Sequence, residues 1–288
     1  MSARVPGKAA KTLWGLAKDA VARSTRNNTG IVAAGVAFYA FLAMVPMLAA
    51  TVLVYGLVAT PEIVARDIGT LAEVLPEATA ELFSDQLQNV VQTSAGKKGL
   101  GLIVALAIAL FGARNGAGSV LTALNIAHGV AEQRGIVWSN AVALLITAGA
   151  IVALILATIA MGSLSALLAY LGTGLAILGT ALTYLLLFAI GVAGTATLFR
   201  FSPNRPAPRW HLVLPGALLS AGCWLLLTLG FGIYVANFGN YNATYGSLSA
   251  VVVLLTWLYL SAYVLLLGAN LNASWGDRRP GYEGIEVG

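Results

Sequence analysis

Arg114 stands in the stretch Gly112-Ala113-Arg114-Asn115-Gly116-Ala117-Gly118, with Asn125 further along the same segment. A guanidinium there could hold a phosphate or carboxylate through charge-assisted, bidentate hydrogen bonds. The glycines give the run a loop-like look, and a phosphate cradle is one reading of it. No predicted strand precedes it, as a nucleotide-binding loop requires. Elsewhere the reactive chemistry is sparse. His128 and His211 are the two histidines, and neither has a carboxylate or second histidine at metal-ligand spacing. There is no Walker loop, nucleophile elbow or dinucleotide fingerprint. The single cysteine, Cys223, lies in an apolar run and can form no intrachain disulfide. No catalytic, metal or cofactor site is expected, and the chain is not expected to be an enzyme.

The elements that carry these residues are set by the placement of charge. Between Arg134 and Arg200 there is no Asp, Glu, Lys or Arg, nor between Arg209 and Asp277. A bilayer's hydrocarbon takes roughly 20 apolar residues per helical crossing, so each stretch holds two spans. The composition agrees: 59% hydrophobic and 9% charged residues, with a mean hydropathy of +0.85, well outside the globular range. The predicted spans are 30–58, 99–113 or longer, 138–161, 174–198, 212–236 and 248–275. In lipid every backbone N–H and C=O needs an internal partner, which makes these continuous apolar runs helices rather than strands of a barrel. The expected fold is an all-α membrane bundle of six helices. Residues 1–29 form an amphipathic arm, 30–275 the membrane domain, and 276–288 a tail.

The run before Arg114 is too short to cross comfortably. Either Arg114 snorkels to the interface, or the helix continues toward Ala127 and holds the guanidinium inside the bundle. An arginine at mid-membrane costs about 2.5–3.5 kcal/mol on insertion scales. No acidic residue lies within any predicted span to pair with it. Carbonyls, Asn115, Asn125, tyrosines or a lipid phosphate remain as partners. The lack of intramembrane Asp and Glu also argues against coupling to protons or cations through a buried acid.

Orientation follows the basic residues. The arm has Arg4, Lys8, Lys11, Lys18, Arg23 and Arg26; the even-numbered connections and the tail add Arg114, Arg134, Arg200, Arg205, Arg209, Arg278 and Arg279. Only Arg66, Lys97 and Lys98 fall elsewhere. Both termini are therefore predicted to be cytoplasmic, by the positive-inside bias. The net charge of +5 is accounted for by topology, and no nucleic-acid partner is inferred. The first apolar run reads as an uncleaved helix rather than a signal peptide.

Finer features complete the picture. Lys8 to Arg23 reads as an amphipathic helix suited to the headgroup layer, and 59–98 as an external helical hairpin. Trp138, Trp210 and Trp275 sit at predicted span ends, where an indole favours the headgroups, while Trp224 and Trp257 lie deeper as packing residues. Gly149, Ala153 and Ala157, and also Gly216 and Ser220, repeat at the four-residue spacing that lets membrane helices approach closely. Pro46 falls mid-span and is expected to kink its helix; Pro215, in a first turn, is tolerated. No internal repeat is apparent.

Two stretches carry a resemblance. Ala33-Ala34-Gly35-Val36-Ala37-Phe38-Tyr39-Ala40-Phe41-Leu42-Ala43-Met44-Val45-Pro46 resembles the first span of the YihY/BrkB family of membrane proteins. Tyr245-Gly246-Ser247-Leu248, Leu254 to Leu260 and Gly268-Ala269-Asn270-Leu271-Asn272-Ala273 resemble its last. Between them, Leu124 to Val130 is similar to the family's leucine-asparagine segment, with His128 where tyrosine is usual. The resemblance implies a six-span inner-membrane protein; one member is linked to serum resistance, and several carry a ribonuclease BN label. That label finds no metal cluster or paired carboxylates in this sequence. Two functions stay open: a transport-type protein handling a lipid or envelope precursor, and a scaffold for envelope machinery. The candidate functional residues are Arg114, Asn115, Asn125, Tyr39, Pro46, Tyr245, Asn270 and Asn272. The expected partners are membrane lipids and a lipid-type or anionic amphipathic substrate, and homo-oligomerisation is left open.

Overall fold

The computed structural model describes residues 6–55, 100–171, 176–236 and 248–277. Tyr245, the predicted hairpin over 59–98 and the tail beyond 277 lie outside them. Among the described residues there are seven helices and no strand: α1 Pro6–Arg26, α2 Thr29–Tyr55, α3 Leu100–His128, α4 Ile136–Leu171, α5 Ala176–Phe201, α6 Trp210–Ala236 and α7 Leu248–Asp277. Four stretches are long and apolar enough to cross a membrane: Ile136–Gly162, Ala181–Phe201, Trp210–Val235 and Val251–Asp277. A bent pair, Trp14–Arg26 with Thr29–Met44, turns through 67° and makes up to five if counted as one span. The predicted count was six, and α4 runs on to Leu171, past the predicted end at Met161.

The helices close into a ring. Each of α2 to α7 packs on the next, α7 returns to α2 and also touches α3, and α1 lies mainly on α7. The larger buried cluster among the described residues is mostly alanine, with Leu124, Phe199, Val213 and Leu266 among the bulkier members. Small side chains suit a bundle whose helices gain by close approach, since lipid tails are as apolar as leucine.

Two contacts show why glycine is needed. A Cβ on Gly216 would strike the Gly268 carbonyl, and one on Gly268 would strike the Ser220 hydroxyl and the Gly216 carbonyl. There α6 and α7 meet backbone to backbone. On the other side of the ring, a Cβ on Gly112 would come within 2.9 Å of the Pro46 ring, and one on Gly116 within 2.8 Å of Ala43 Cβ. The expected stripe at Gly149 is different: a Cβ there would meet nothing within 4 Å, so that glycine makes no close helix contact.

The turns at one end of the ring are specified locally. Asn28, with φ 47°, separates α1 from α2; asparagine tolerates the left-handed region better than most residues. Gly129, at φ 66°, ends α3. Its N–H bonds the Ile126 carbonyl at 3.0 Å, and that of Val130 bonds the Asn125 carbonyl at 3.0 Å. This is a Schellman ending, and it releases the chain toward α4.

Candidate functional site

The glycine-rich run around Arg114 is not a loop. Residues 112–118 are interior turns of one uninterrupted helix, α3. Gly112 and Gly116 face α2 rather than a phosphate, which removes the cradle reading. Glycine lowers helix propensity by about 1 kcal/mol per residue in water, but in lipid the unmade backbone bonds would cost more. Sequence spacing alone could not separate a glycine loop from a glycine packing face.

Arg114 is half-buried at the midpoint of Leu100–His128. Its Cζ lies 5.8 Å from the centre of the Phe111 ring, and its Nε is buried without a hydrogen-bond partner. The helix does continue past Arg114 to His128, as the second of the two arrangements requires. Asn115 is exposed on the neighbouring face. Asn125 lies roughly 16 Å further along the axis at 1.5 Å per residue, too far to help Arg114. The structure therefore does not gather these three residues into one site.

Asn125 works instead at the end of the bundle. Its Oδ1 accepts the Asn204 N–H at 2.8 Å, and its Nδ2 donates to Glu132 Oε2 at 2.8 Å. Arg134 donates to the same carboxylate through Nε at 2.7 Å and Nη2 at 2.8 Å, and to the Ser202 carbonyl at 2.9 Å. Asn204 Nδ2 reaches the Ala131 carbonyl at 2.9 Å. The α3–α4 and α5–α6 connections are thus clasped together. Partial burial pushes the Glu132 carboxyl up, but the hydrogen bonds from Arg134 and Asn125 and the Arg134 charge outweigh it and hold the group below 4.5.

The two asparagines of α7 are structural clamps. Asn270 is fully buried; its Oδ1 accepts from Asn27 Nδ2 at 2.9 Å, and its Nδ2 donates to Thr29 Oγ1 at 3.2 Å and to the Leu266 carbonyl at 2.9 Å. It holds the α1–α2 corner onto α7, alongside an Arg23–Asp277 ion pair. Asn272 accepts the Gly216 N–H at 2.7 Å and donates to the Val213 carbonyl at 2.9 Å, on either side of Pro215, which lies inside α6 rather than in its first turn because the helix already starts at Trp210. Pro46 is an inside residue of α2 against Gly112. Tyr39 is half-exposed, edge-to-face on Phe38 at 5.6 Å.

The clamping roles of Glu132, Arg134, Asn204 and Asn27 have no signature in the sequence. Each lies in a short polar connection where the only available signal was charge type. Arg134 and Glu132 two residues apart suggest a local pair, but nothing in their spacing points across to Asn204.

The family model described as Virulence factor BrkB matches residues 20–286. A protein of Bacillus subtilis named "Putative ribonuclease-like protein YfkH" is 27% identical over 91% of this chain and 95% of its own length. A UPF0761 membrane protein of Photobacterium profundum is 30% identical over 89% of this chain and 79% of its own. One of Rhodospirillum centenum is 29% identical over 98% of this chain but 62% of its own, so the chain spans under two thirds of that longer relative. No solved structure matches.

Proposed function

Because this chain belongs to the Virulence factor BrkB family and is an integral, multi-pass membrane protein, we propose that it is a transport-type protein of the inner membrane handling a lipid or anionic envelope precursor. Six spans with both termini cytoplasmic are part of the same proposal. The four apolar stretches and the bent pair supply five, and α3, at 29 residues or about 43 Å, is long enough to be the other. Positive-inside placement of the basic residues orients them.

The observation that carries this reading is Arg114. A guanidinium halfway along α3, with a buried and unpaired Nε and no acidic residue anywhere between Lys98 and Glu132, is costly for a helix that merely packs. An anionic headgroup passing along the bundle would satisfy it by bidentate bonds. A scaffold reading needs only close packing, which the Gly216–Gly268 contact also provides. Ribonuclease chemistry is not part of the proposal. No group of three His, Cys, Asp or Glu that could hold a metal is found among the described residues, and Glu132 and Asp277 are paired with Arg134 and Arg23.

The test is lipid composition of a deletion strain complemented with Arg114 variants. Arg114→Lys should restore it only in part, because an ammonium cannot reproduce the planar fork, and Arg114→Gln should fail while protein levels stay normal. Full restoration by Arg114→Gln would remove the transport reading and favour the scaffold.

A further inference from the structure

The corner between α5 and α6 holds a group of residues that the bundle does not use. Arg200 is the last basic residue of α5, and its Cζ lies 4.4 Å from the centre of the Trp210 ring and 5.2 Å from that of Phe201. The two rings meet edge to face at 6.0 Å. Cation–π contact with both fixes the guanidinium in place. Its Nε is nevertheless buried with no hydrogen-bond partner. No ion pair to a described acid involves Arg200; Glu132 is engaged by Arg134, and Asp277 by Arg23.

Depth and charge identify what would complete this arrangement. One apolar stretch ends at Phe201 and the next begins at Trp210, so Arg200, Phe201 and Trp210 sit where hydrocarbon gives way to headgroups. Phe201 is 55% exposed and Trp210 48% exposed, the exposure of rings placed against lipid rather than against protein. Arg209, also exposed, immediately precedes Trp210 in the chain and brings a second positive charge to the start of α6. The α6 helix starts here with no acid in its first turn, so its positive end adds to the same field.

We propose that Arg200, Arg209, Phe201 and Trp210 form a binding site for the phosphate of an anionic lipid headgroup at the α5–α6 corner. Arg200 supplies a planar donor edge already ordered by the two rings, Arg209 a second charge, and the rings contact the glycerol and upper acyl chain. The occupant is a lipid rather than free phosphate because half of the lining is exposed aromatic surface at bilayer depth, which a soluble anion leaves unsatisfied. This site is separate from Arg114 and does not depend on transport.

The test is native mass spectrometry of the full-length protein after exchange into nanodiscs of phosphatidylcholine with phosphatidylglycerol. Wild-type protein should retain phosphatidylglycerol in preference to phosphatidylcholine. Arg200→Gln should lower that retention by about tenfold, the low end of the loss expected for a hydrogen bond to a charged group, and Arg200→Lys should lower it less. Arg209→Gln, a change at an exposed position that leaves packing alone, should also lower it and guards against a folding defect in the Arg200 variants. Soluble glycerol phosphate should compete poorly. Undiminished retention in both Arg200→Gln and Arg209→Gln would overturn the site. Displacement by glycerol phosphate at equal concentration would overturn its assignment to a lipid.

Discussion

At the scale of single residues, the glycines of this chain divide into two kinds that look alike in sequence. Gly216 and Gly268 lie where α6 and α7 touch backbone to backbone, whereas Gly149 and Gly118 would meet nothing if given a side chain. Gly268→Ala should therefore destabilise the protein by about 1–3 kcal/mol through overpacking, with Gly216→Ala alike. Gly149→Ala should be neutral or stabilising by up to about 1 kcal/mol, the gain in helix propensity. Thermal unfolding in one detergent measures all three, and equal losses at Gly149 and Gly268 would contradict the division. The sequence pointed to Gly216 and Ser220 by their spacing and to Gly149 by the same rule. It could not say which face of a uniformly apolar helix meets a partner, because lipid and protein present the same hydrophobicity to it.

At the scale of elements, helices were legible and connections were not. Charge-free length located α4 to α7 to within a few residues at most of their ends, since a membrane leaves the backbone no alternative to helix. The second helix was harder: Arg114 and the glycines around it interrupt the apolar signal but not the hydrogen-bond ladder, so α3 runs on to His128. The clasp of Asn125, Glu132, Arg134 and Asn204 was invisible because it joins two connections far apart in sequence. Its acid contributes in a pH-dependent way. Glu132 is held below 4.5 in the folded protein, so its contribution is present above about pH 4.5 and is lost as the pH falls through the lowered value. Glu132→Gln should lower the stability at neutral pH by an amount typical of exposed pairs, about 0–1 kcal/mol, read as a small fall in Tm. Below the folded value the variant and the wild type should converge. A difference that grows with acid would show that the sign is wrong.

For the whole molecule, orientation is the property that ties residues to compartments. In a Cys223→Ser background, single cysteines at Asp85 and Asn242 should react with an impermeant thiol reagent in intact cells, and cysteines at Arg205 and Arg278 should stay protected; the reverse pattern would invert the proposed topology. The order of packing has a bearing on biogenesis as well. The first helix rests on the last: Asn27 meets Asn270, and Arg23 meets Asp277. Asn270 follows Asn27 by 243 residues, so α2 to α6 have been made before either partner on α7 exists. Until then the α1–α2 corner lacks Asn270, and the half-made protein must sit in the bilayer with its ring open. Quality control that recognises unpaired polar groups in membrane helices would therefore see every nascent copy as incomplete, and a chain cut short before Asn270 would stay in that state permanently.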